Sequence, residues 1–196
     1  MAVTLGIFVY QYRNIPASTA VDAPIFQQFS PFFVIALTPV ILALFSMLNK
    51  RGLEPSAPKK IAIGMVIAAL GFLTISLGCF GLDTPNEQVA GIEAGVAVTR
   101  VSANWLVGTY LVLTFAELFL SPMGISFVSK VAPPKMKGMM MGGWFVATAA
   151  GNWLTFIPAM IWGEHSLLMV WGLLIFLCLV SAIFIFSILK RLEKVS

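Results

Sequence analysis

The chain has 196 residues, of which 59% are hydrophobic and only 10% are charged, and its mean hydropathy is +0.96. These values exclude an ordinary soluble domain and predict an integral membrane protein. The formal net charge is +4, but the cations are spread over short connections with no aromatic residues between them. A nucleic-acid-binding surface is therefore not expected.

Five predominantly apolar runs are long enough to cross the hydrocarbon core as helices, which takes about 20 residues. They are residues 29–49, 61–82, 104–129, 138–162 and 167–189. Residues 1–12 are also apolar but would rise only about 18 Å as a helix, so they are predicted to form a partial helix that crosses, dips or lies along the interface. The predicted fold is all-α, a single membrane domain over residues 1–196 with five full transmembrane helices and a short N-terminal hydrophobic segment.

The charged residues predict the orientation of these spans, because Lys and Arg near span ends are retained on the cytoplasmic side of a membrane. The basic clusters are Lys50, Arg51, Lys59 and Lys60; Lys130, Lys135 and Lys137; and Lys190, Arg191 and Lys194. The opposite connections carry Asp22, Asp83, Glu87, Glu93 and Glu164, with Arg13 and Arg100. This alternation predicts a cytoplasmic C-terminus.

Signatures of catalysis and metal binding are weak. Cys79 and Cys178 lie within apolar runs and have no CxxC or Cys/His spacing around them, and His165 has no second His or Cys nearby. The sequence contains no HExxH, Walker, GxGxxG or GxSxG motif. We therefore predict no enzyme activity, no metal site and no cofactor.

Glu117 is the one Asp, Glu, Lys, Arg or His residue inside the apolar runs. A carboxylate at the centre of a bilayer costs about 2.5 to 3.5 kcal/mol even on the lenient insertion scale, so such residues usually face a cavity and mark an ion, proton or substrate path. The alternative is a buried acid that pairs structurally with a neighbouring helix.

The helix around Glu117 carries a polar and small-residue face, because residues three and four apart lie on the same side. The members of this face are Tyr110, Thr114, Glu117, Ser121 and Gly124. Pro122 lacks an N–H and clashes with the carbonyl four residues earlier, so it is predicted to kink the helix. Gly124 adds slack, and the two residues together are a candidate hinge.

The next run combines two helical faces. Gly143, Ala147 and Gly151 have the small-xxx-small spacing that permits close helix approach. The second face consists of Trp144, Thr148, Asn152 and Thr155, which offer an aromatic wall and hydrogen-bonding groups for a small ligand. Alternatively, Trp144 is a membrane-interface residue near the basic connection.

Several segments resemble proton-dependent oligopeptide transporters, the POT/PTR family of the major facilitator superfamily. Residues 117–124 (ELFLSPMG), Ser126, Lys130, Ala132-Pro133 and residues 141–145 (MGGWF) resemble the segment that covers the tenth and eleventh helices of that family. Residues 15–18 (IPAS) and 26–32 (FQQFSPF) resemble the loop and the entry to the eighth helix. The resemblance runs from about residue 15 to the end.

The resemblance implies half of a major-facilitator bundle. In function it implies the C-terminal half of a proton-coupled di- or tripeptide symporter in a bacterial inner membrane, which needs a separate N-terminal half. Glu117 matches the acid that the family ties to peptide amino-terminus binding and proton coupling, Trp144 matches an aromatic residue of the peptide pocket, and Ser121 lies beside them. With Asn152, these residues form the candidate substrate site.

The alternative function is a transporter-derived subunit that no longer transports and acts as a scaffold or anchor in a larger membrane complex. In either case the expected partners are membrane lipid and another membrane protein subunit. A proton and a small peptide are additional partners if the chain transports.

Overall fold

The computed structural model describes residues 26–96, 99 and 101–194, and all regular structure in these ranges is helical. The helices are α1 (Phe29–Lys50), α2 (Ala57–Gly78), α3 (Pro85–Glu93), α4 (Asn104–Val131), α5 (Lys137–Leu154), α6 (Phe156–Met160) and α7 (Leu167–Glu193). A 3-10 turn, Pro134–Met136, precedes α5. The partial helix predicted for residues 1–12 lies outside the described residues.

Four of these helices, α1, α2, α4 and α7, are long and apolar enough to cross a membrane. Helices are suited to this environment because each satisfies its own backbone hydrogen bonds where no water is available. The prediction of an all-α integral membrane fold is confirmed.

The predicted count of five full spans is wrong for the part of the chain that the structure describes. The run at residues 138–162 is divided, because α5 ends at Leu154 and α6 covers only Phe156–Met160. Pro158 explains the break, since its ring would clash with the carbonyl four residues earlier, at Leu154, and it offers no N–H. The N–H and the hydroxyl of Thr155 both donate to the Asn152 carbonyl, at 3.2 and 2.6 Å, and close the turn.

Helix α2 lies between α4 and α7, and its side towards α4 is lined by glycines spaced seven residues apart. A Cβ added at Gly64 would lie 2.9 Å from Leu120 Cγ, one at Gly71 would lie 2.7 Å from Leu113 Cδ2, and one at Gly78 would lie 2.7 Å from Trp105 Cγ. We call Gly64, Gly71 and Gly78 the glycine seam. Because its residues meet α4 positions in reverse order, α2 and α4 are antiparallel.

The other two long helices pack on this pair. Phe45 of α1 meets Phe119 of α4 edge to face, with ring centroids 5.0 Å apart. On the far side of α2, Val170 and Ala182 of α7 are each only 2% exposed, while about half of the large apolar side chains of α7 are exposed. Helix α7 therefore combines one packed side with a broad exposed apolar surface, as its uniformly apolar sequence suggests.

The antiparallel packing collects the described basic residues at one end of the bundle, which we call the basic end. It contains the C-terminal ends of α1, α4 and α7 and the N-terminal end of α2. There, Lys59 Nζ of α2 lies 3.1 Å from Glu193 Oε1 of α7, and the Ser56 hydroxyl donates to the same oxygen at 2.6 Å.

At the opposite end, α3 begins with a capping box. The Thr84 hydroxyl accepts from the Glu87 N–H at 3.4 Å, and the Thr84 N–H and hydroxyl donate to the Glu87 carboxylate at 2.9 and 2.8 Å. These hydrogen bonds hold the pKa of Glu87 below its ordinary value, because they favour the charged form. The short amphipathic α3 is thereby fixed in the connection that leads to α4.

Candidate substrate-binding site on α4 and α5

Glu117 lies midway along α4 with its side chain exposed, whereas its neighbours Ala116 and Leu118 are 2% and 9% exposed. No hydrogen bond or ion pair joins its carboxylate to any other residue within 26–96, 99 and 101–194. The structural ion pair that the sequence left open thus has no counterpart in these ranges. The carboxylate projects from the side of α4 that the other helices leave uncovered.

The polar face predicted around Glu117 is divided by the packing. Thr114 is only 1% exposed, and its hydroxyl donates to the Tyr110 carbonyl at 2.7 Å, so it needs no other partner. Ser121 is exposed, one turn after Glu117. The Glu117 carboxylate and the Ser121 hydroxyl are therefore the polar groups of this face that belong to exposed residues.

Trp144 of α5 lies against Gly124 of α4. A Cβ added at Gly124 would come within 2.3 Å of Trp144 Cη2 and 2.4 Å of Cζ2. Trp144 therefore has a packing partner on α4, which a residue that only anchors the chain at the membrane interface would not need. The glycine is required by this contact, because the indole occupies the space of any larger side chain.

The contact between Trp144 and Gly124 determines how far along the helices Glu117 lies relative to Asn152. Glu117 precedes Gly124 by seven residues, or about 10 Å of helix, and Asn152 follows Trp144 by eight, or about 12 Å. Because α5 returns from the short turn at Pro134–Met136, both side chains lie to the same side of the contact. The structure thus brings Trp144 against α4 and leaves Glu117, Ser121 and Asn152 exposed, without a described contact among these three.

The small-residue face of α5 has no neighbour among the described helices. Gly143, Ala147 and Gly151 are exposed, and a Cβ at either glycine would meet nothing within 4 Å. Of the second predicted face, Thr148 donates to the Trp144 carbonyl at 3.0 Å, and Thr155 lies in the turn after α5. Both the exposed carboxylate of α4 and the small face of α5 are thus open to a further protein surface.

The candidate hinge residues lie within an unbroken helix. Helix α4 continues from Asn104 to Val131 through Pro122 and Gly124. Pro122 still removes the hydrogen bond to the Leu118 carbonyl, so a weak point one turn after Glu117 stays a prediction. The packing role of Gly124 against Trp144 is an addition that the sequence did not reveal.

Sequence reasoning also missed a charged cluster at the basic end, where it treated the lysines only as markers of orientation. Lys60 is 4% exposed, pairs with Glu54 and holds its Nζ 4.1 Å from the Phe45 ring centroid. A detectable signal is the acid–base pair six residues apart across the turn that contains Pro55 and Pro58.

We expect Gly124→Ala to displace Trp144 from α4, because the added methyl group overlaps the indole and α5 is free to move outward. Tryptophan emission, with the signal of Trp144 assigned by difference from Trp144→Phe, should shift to longer wavelength. Gly142→Ala is the matched control, since its added methyl group meets nothing within 4 Å. Equal spectra for the two alanine variants would contradict the contact.

Comparison with known proteins identifies relatives along most of the chain. A family model described as PTR2, POT family, matches residues 6–177. The chain is 34% identical over 156 residues to the dipeptide and tripeptide permease A of Escherichia coli, covering 78% of this chain and 27% of the relative. It is 35% identical over 134 residues to the permease of the same name from Citrobacter koseri, covering 68% and 23%. The chain thus spans about a quarter of the length of the curated relatives it matches.

Solved structures share the same helical arrangement. A crystal structure of peptide transporter POT in complex with sulfate matches with a TM-score of 0.76 and 25% identity, over 91% of this chain and 33% of that one. A variant of peptide transporter POT in complex with alafosfalin matches with a TM-score of 0.74 and 27% identity, over 92% and 34%. With four membrane-spanning helices among its described residues and this family match over most of its length, the chain is an integral membrane protein that belongs to the POT family.

Proposed function

We propose that the chain supplies the C-terminal part of a proton-coupled di- and tripeptide transporter and works with a separate N-terminal half. The observation that carries the proposal is Glu117, an acid midway along a membrane helix with an exposed carboxylate and no partner among the described residues. Acids at such a position in a membrane helix typically line an ion or substrate path. The similarity to dipeptide and tripeptide permeases supports a peptide as the substrate.

The chemistry of Glu117 suits the coupling of a peptide to a proton. A carboxylate in a site shielded from water is penalised in its charged form, whereas a nearby ammonium group stabilises that form. The arrival of a peptide amino terminus therefore favours release of a proton from Glu117, and departure of the peptide favours its return. By linkage, each ligand changes the affinity of the site for the other.

Ser121, Trp144 and Asn152 complete the proposed site. The Ser121 hydroxyl and the Asn152 amide offer hydrogen bonds to the peptide backbone, and the indole of Trp144 supplies an apolar wall next to them. Such a wall with few polar groups suits a ligand whose backbone is constant and whose side chains vary.

The need for a second half follows from what the described helices leave open. An exposed carboxylate on α4 is costly against hydrocarbon, and the face of α5 formed by Gly143, Ala147 and Gly151 has the spacing that lets another helix approach closely. An N-terminal half that covers both surfaces would shield Glu117 from lipid and enclose the site. The matched structures are about three times as long as this chain, which leaves room for such a half.

We further propose that the basic end lies in the cytoplasm and that the membrane is a bacterial inner membrane. The ends of α1, α4 and α7 carry Lys50, Lys130, Lys190 and Arg191, and positive residues next to spans are retained on the cytoplasmic side. The C-terminus, which follows α7, would then be cytoplasmic.

The test is uptake by the native assembly. The chain, isolated in mild detergent with the proteins that bind it, is reconstituted in proteoliposomes, and an inward proton gradient should drive accumulation of a labelled dipeptide. Unlabelled di- and tripeptides should compete, and free amino acids should not. Absence of uptake by the intact assembly would refute the proposal and favour a subunit that no longer transports.

A further inference from the structure

A cavity of about 370 Å³ opens at the basic end, away from the candidate substrate site. It lies between the turn that joins α1 to α2 and the last two turns of α4. Its lining consists of Glu54, Pro55, Ser56, Ala57, Lys60, Met123, Ser126 and Lys130. Neither Glu117 nor Trp144 contributes to it, so the cavity needs a role of its own.

Lys60 gives this cavity a built-in positive charge. It is 4% exposed, pairs with Glu54, and its Nζ lies 4.1 Å above the Phe45 ring. These two contacts hold the ammonium group in one place at the wall of the cavity, where its remaining N–H donors are available. A charge fixed in this way loses little side-chain entropy when it binds an anion.

The charges that line the cavity do not cancel. The Glu54 carboxylate is matched by Lys60, which leaves the ammonium of Lys130 without an ion pair among the described residues. The other described acid of the basic end, Glu193, is bound by Lys59 and by the Ser56 hydroxyl. The cavity therefore carries an excess of one positive charge.

Two further sets of donors lie at the cavity. The Ser126 hydroxyl makes no hydrogen bond there, although several Ser and Thr residues in the spans, such as Thr114 and Ser181, donate to their own helix backbone. The first turn of α2 carries no acidic residue and no side-chain cap. Pro58 has no N–H and the Lys60 N–H donates to the Ser56 carbonyl at 3.0 Å, which leaves the N–H groups of Ala57 and Lys59 to supply the partial positive charge of this helix end.

We propose that this cavity binds a phosphate group through Lys60, Lys130 and Ser126, with the N-terminal end of α2 next to it. Phosphate oxygens readily accept hydrogen bonds from ammonium groups, from a hydroxyl and from the N–H groups at a helix N-terminus. The excess positive charge selects an anion over a neutral or zwitterionic ligand. This proposal does not depend on peptide transport.

The position of the cavity favours a phosphate carried by a lipid headgroup. It is located where α2 begins and α4 ends, at the level of the membrane interface, and Met123 gives its wall an apolar part next to the polar one. Basic pockets between membrane helices are known places for anionic headgroups. Free inorganic phosphate has the same chemistry and is the other source to be tested.

The test measures binding of phosphatidylglycerol and phosphatidylcholine to the full chain in detergent, by native mass spectrometry, with whatever subunit accompanies the chain. Phosphatidylglycerol should bind more tightly than phosphatidylcholine. Lys130→Gln should lower the affinity for phosphatidylglycerol by about fivefold, which is the effect of one cation at a headgroup. Ser126→Ala should weaken it by about threefold, the effect of one hydrogen bond. Equilibrium dialysis with labelled inorganic phosphate is the second arm.

Lys190→Gln is the matched control, because it removes the same charge from the same end of the bundle at an exposed position outside the cavity. Lys130 is also exposed, so its replacement should leave folding intact, which size-exclusion chromatography would verify. If Lys130→Gln weakens phosphatidylglycerol and Lys190→Gln does not, a lipid is the source of the phosphate. If only inorganic phosphate shows this difference, the source is the free ion. Equal effects of the two variants, or no effect of either, would overturn the proposal.

Discussion

Replacing Glu117 by Gln should strongly reduce proton-driven peptide uptake by the assembly that contains this chain. The amide keeps the size of the side chain and can still form hydrogen bonds, but it cannot take up and release a proton near neutral pH. Binding of peptide and proton are then no longer linked. The expected loss of uptake is on the order of tenfold or more, within the usual range of coupling between two ligands. The measurement is the initial rate of labelled dipeptide uptake in proteoliposomes under a proton gradient.

The control for Glu117→Gln is Glu93→Gln, which removes a carboxylate from the exposed end of α3, outside the long helices. This variant should transport at the wild-type rate. Exchange of labelled for unlabelled peptide without a gradient separates coupling from binding, because it needs the peptide site but no net proton movement. Unchanged uptake by Glu117→Gln would refute the role proposed for this residue, and loss of both uptake and exchange would assign it to peptide binding alone.

The sequence predicted the features of this protein that depend on single residues in an apolar background. Glu117 could be identified because one ionisable side chain in a long uncharged run is costly and therefore has a reason to be there. The long helices could be placed because length and hydropathy determine them locally. The exposed position of Glu117 in the structure is consistent with that reasoning, although its role in transport stays a prediction.

The division of the fourth run, residues 138–162, was missed because hydropathy averages over a window and does not respond to one backbone clash. Pro158 acts through the carbonyl of Leu154, and this effect decides where α5 ends. The proline was visible in the sequence. A proline does not always end a helix, however, since α4 continues past Pro122.

Contacts between helices were beyond the reach of the sequence. The packing of Trp144 on Gly124 and of Lys60 over Phe45 depends on the register of one helix against another. Each helix offers several faces with similar composition, so no local pattern selects the pair that meets. The cavity at the basic end, which joins residues of α4 and of the turn before α2, could not be predicted for the same reason.

The glycine seam is an intermediate case. Gly64 was identifiable as a packing residue because small residues allow membrane helices to approach closely, and the repeat at Gly71 and Gly78 follows by counting two turns each time. The partner helix was not identifiable. In the structure the seam faces α4, whose residues Leu113 and Leu120 fill the space that the glycines leave.

Gly71→Leu should destabilise the helical bundle by separating α2 from α4. Its Cβ alone would lie 2.7 Å from Leu113 Cδ2 and 3.0 Å from Leu113 Cγ, and the rest of the side chain would extend towards the backbone of α4. Overpacking of this kind costs about 1 to 3 kcal/mol, which corresponds to a fall of roughly 2 to 10 °C in the apparent Tm for a protein of this size. Thermal unfolding in detergent, followed by size-exclusion chromatography, measures the shift.

Gly172→Leu on α7 makes the same replacement where an added Cβ meets nothing within 4 Å, so it should leave the Tm unchanged or slightly raised. Because both variants gain the same helix propensity, a Tm for Gly71→Leu that matches the Gly172→Leu value would mean that close approach along the seam contributes nothing to stability.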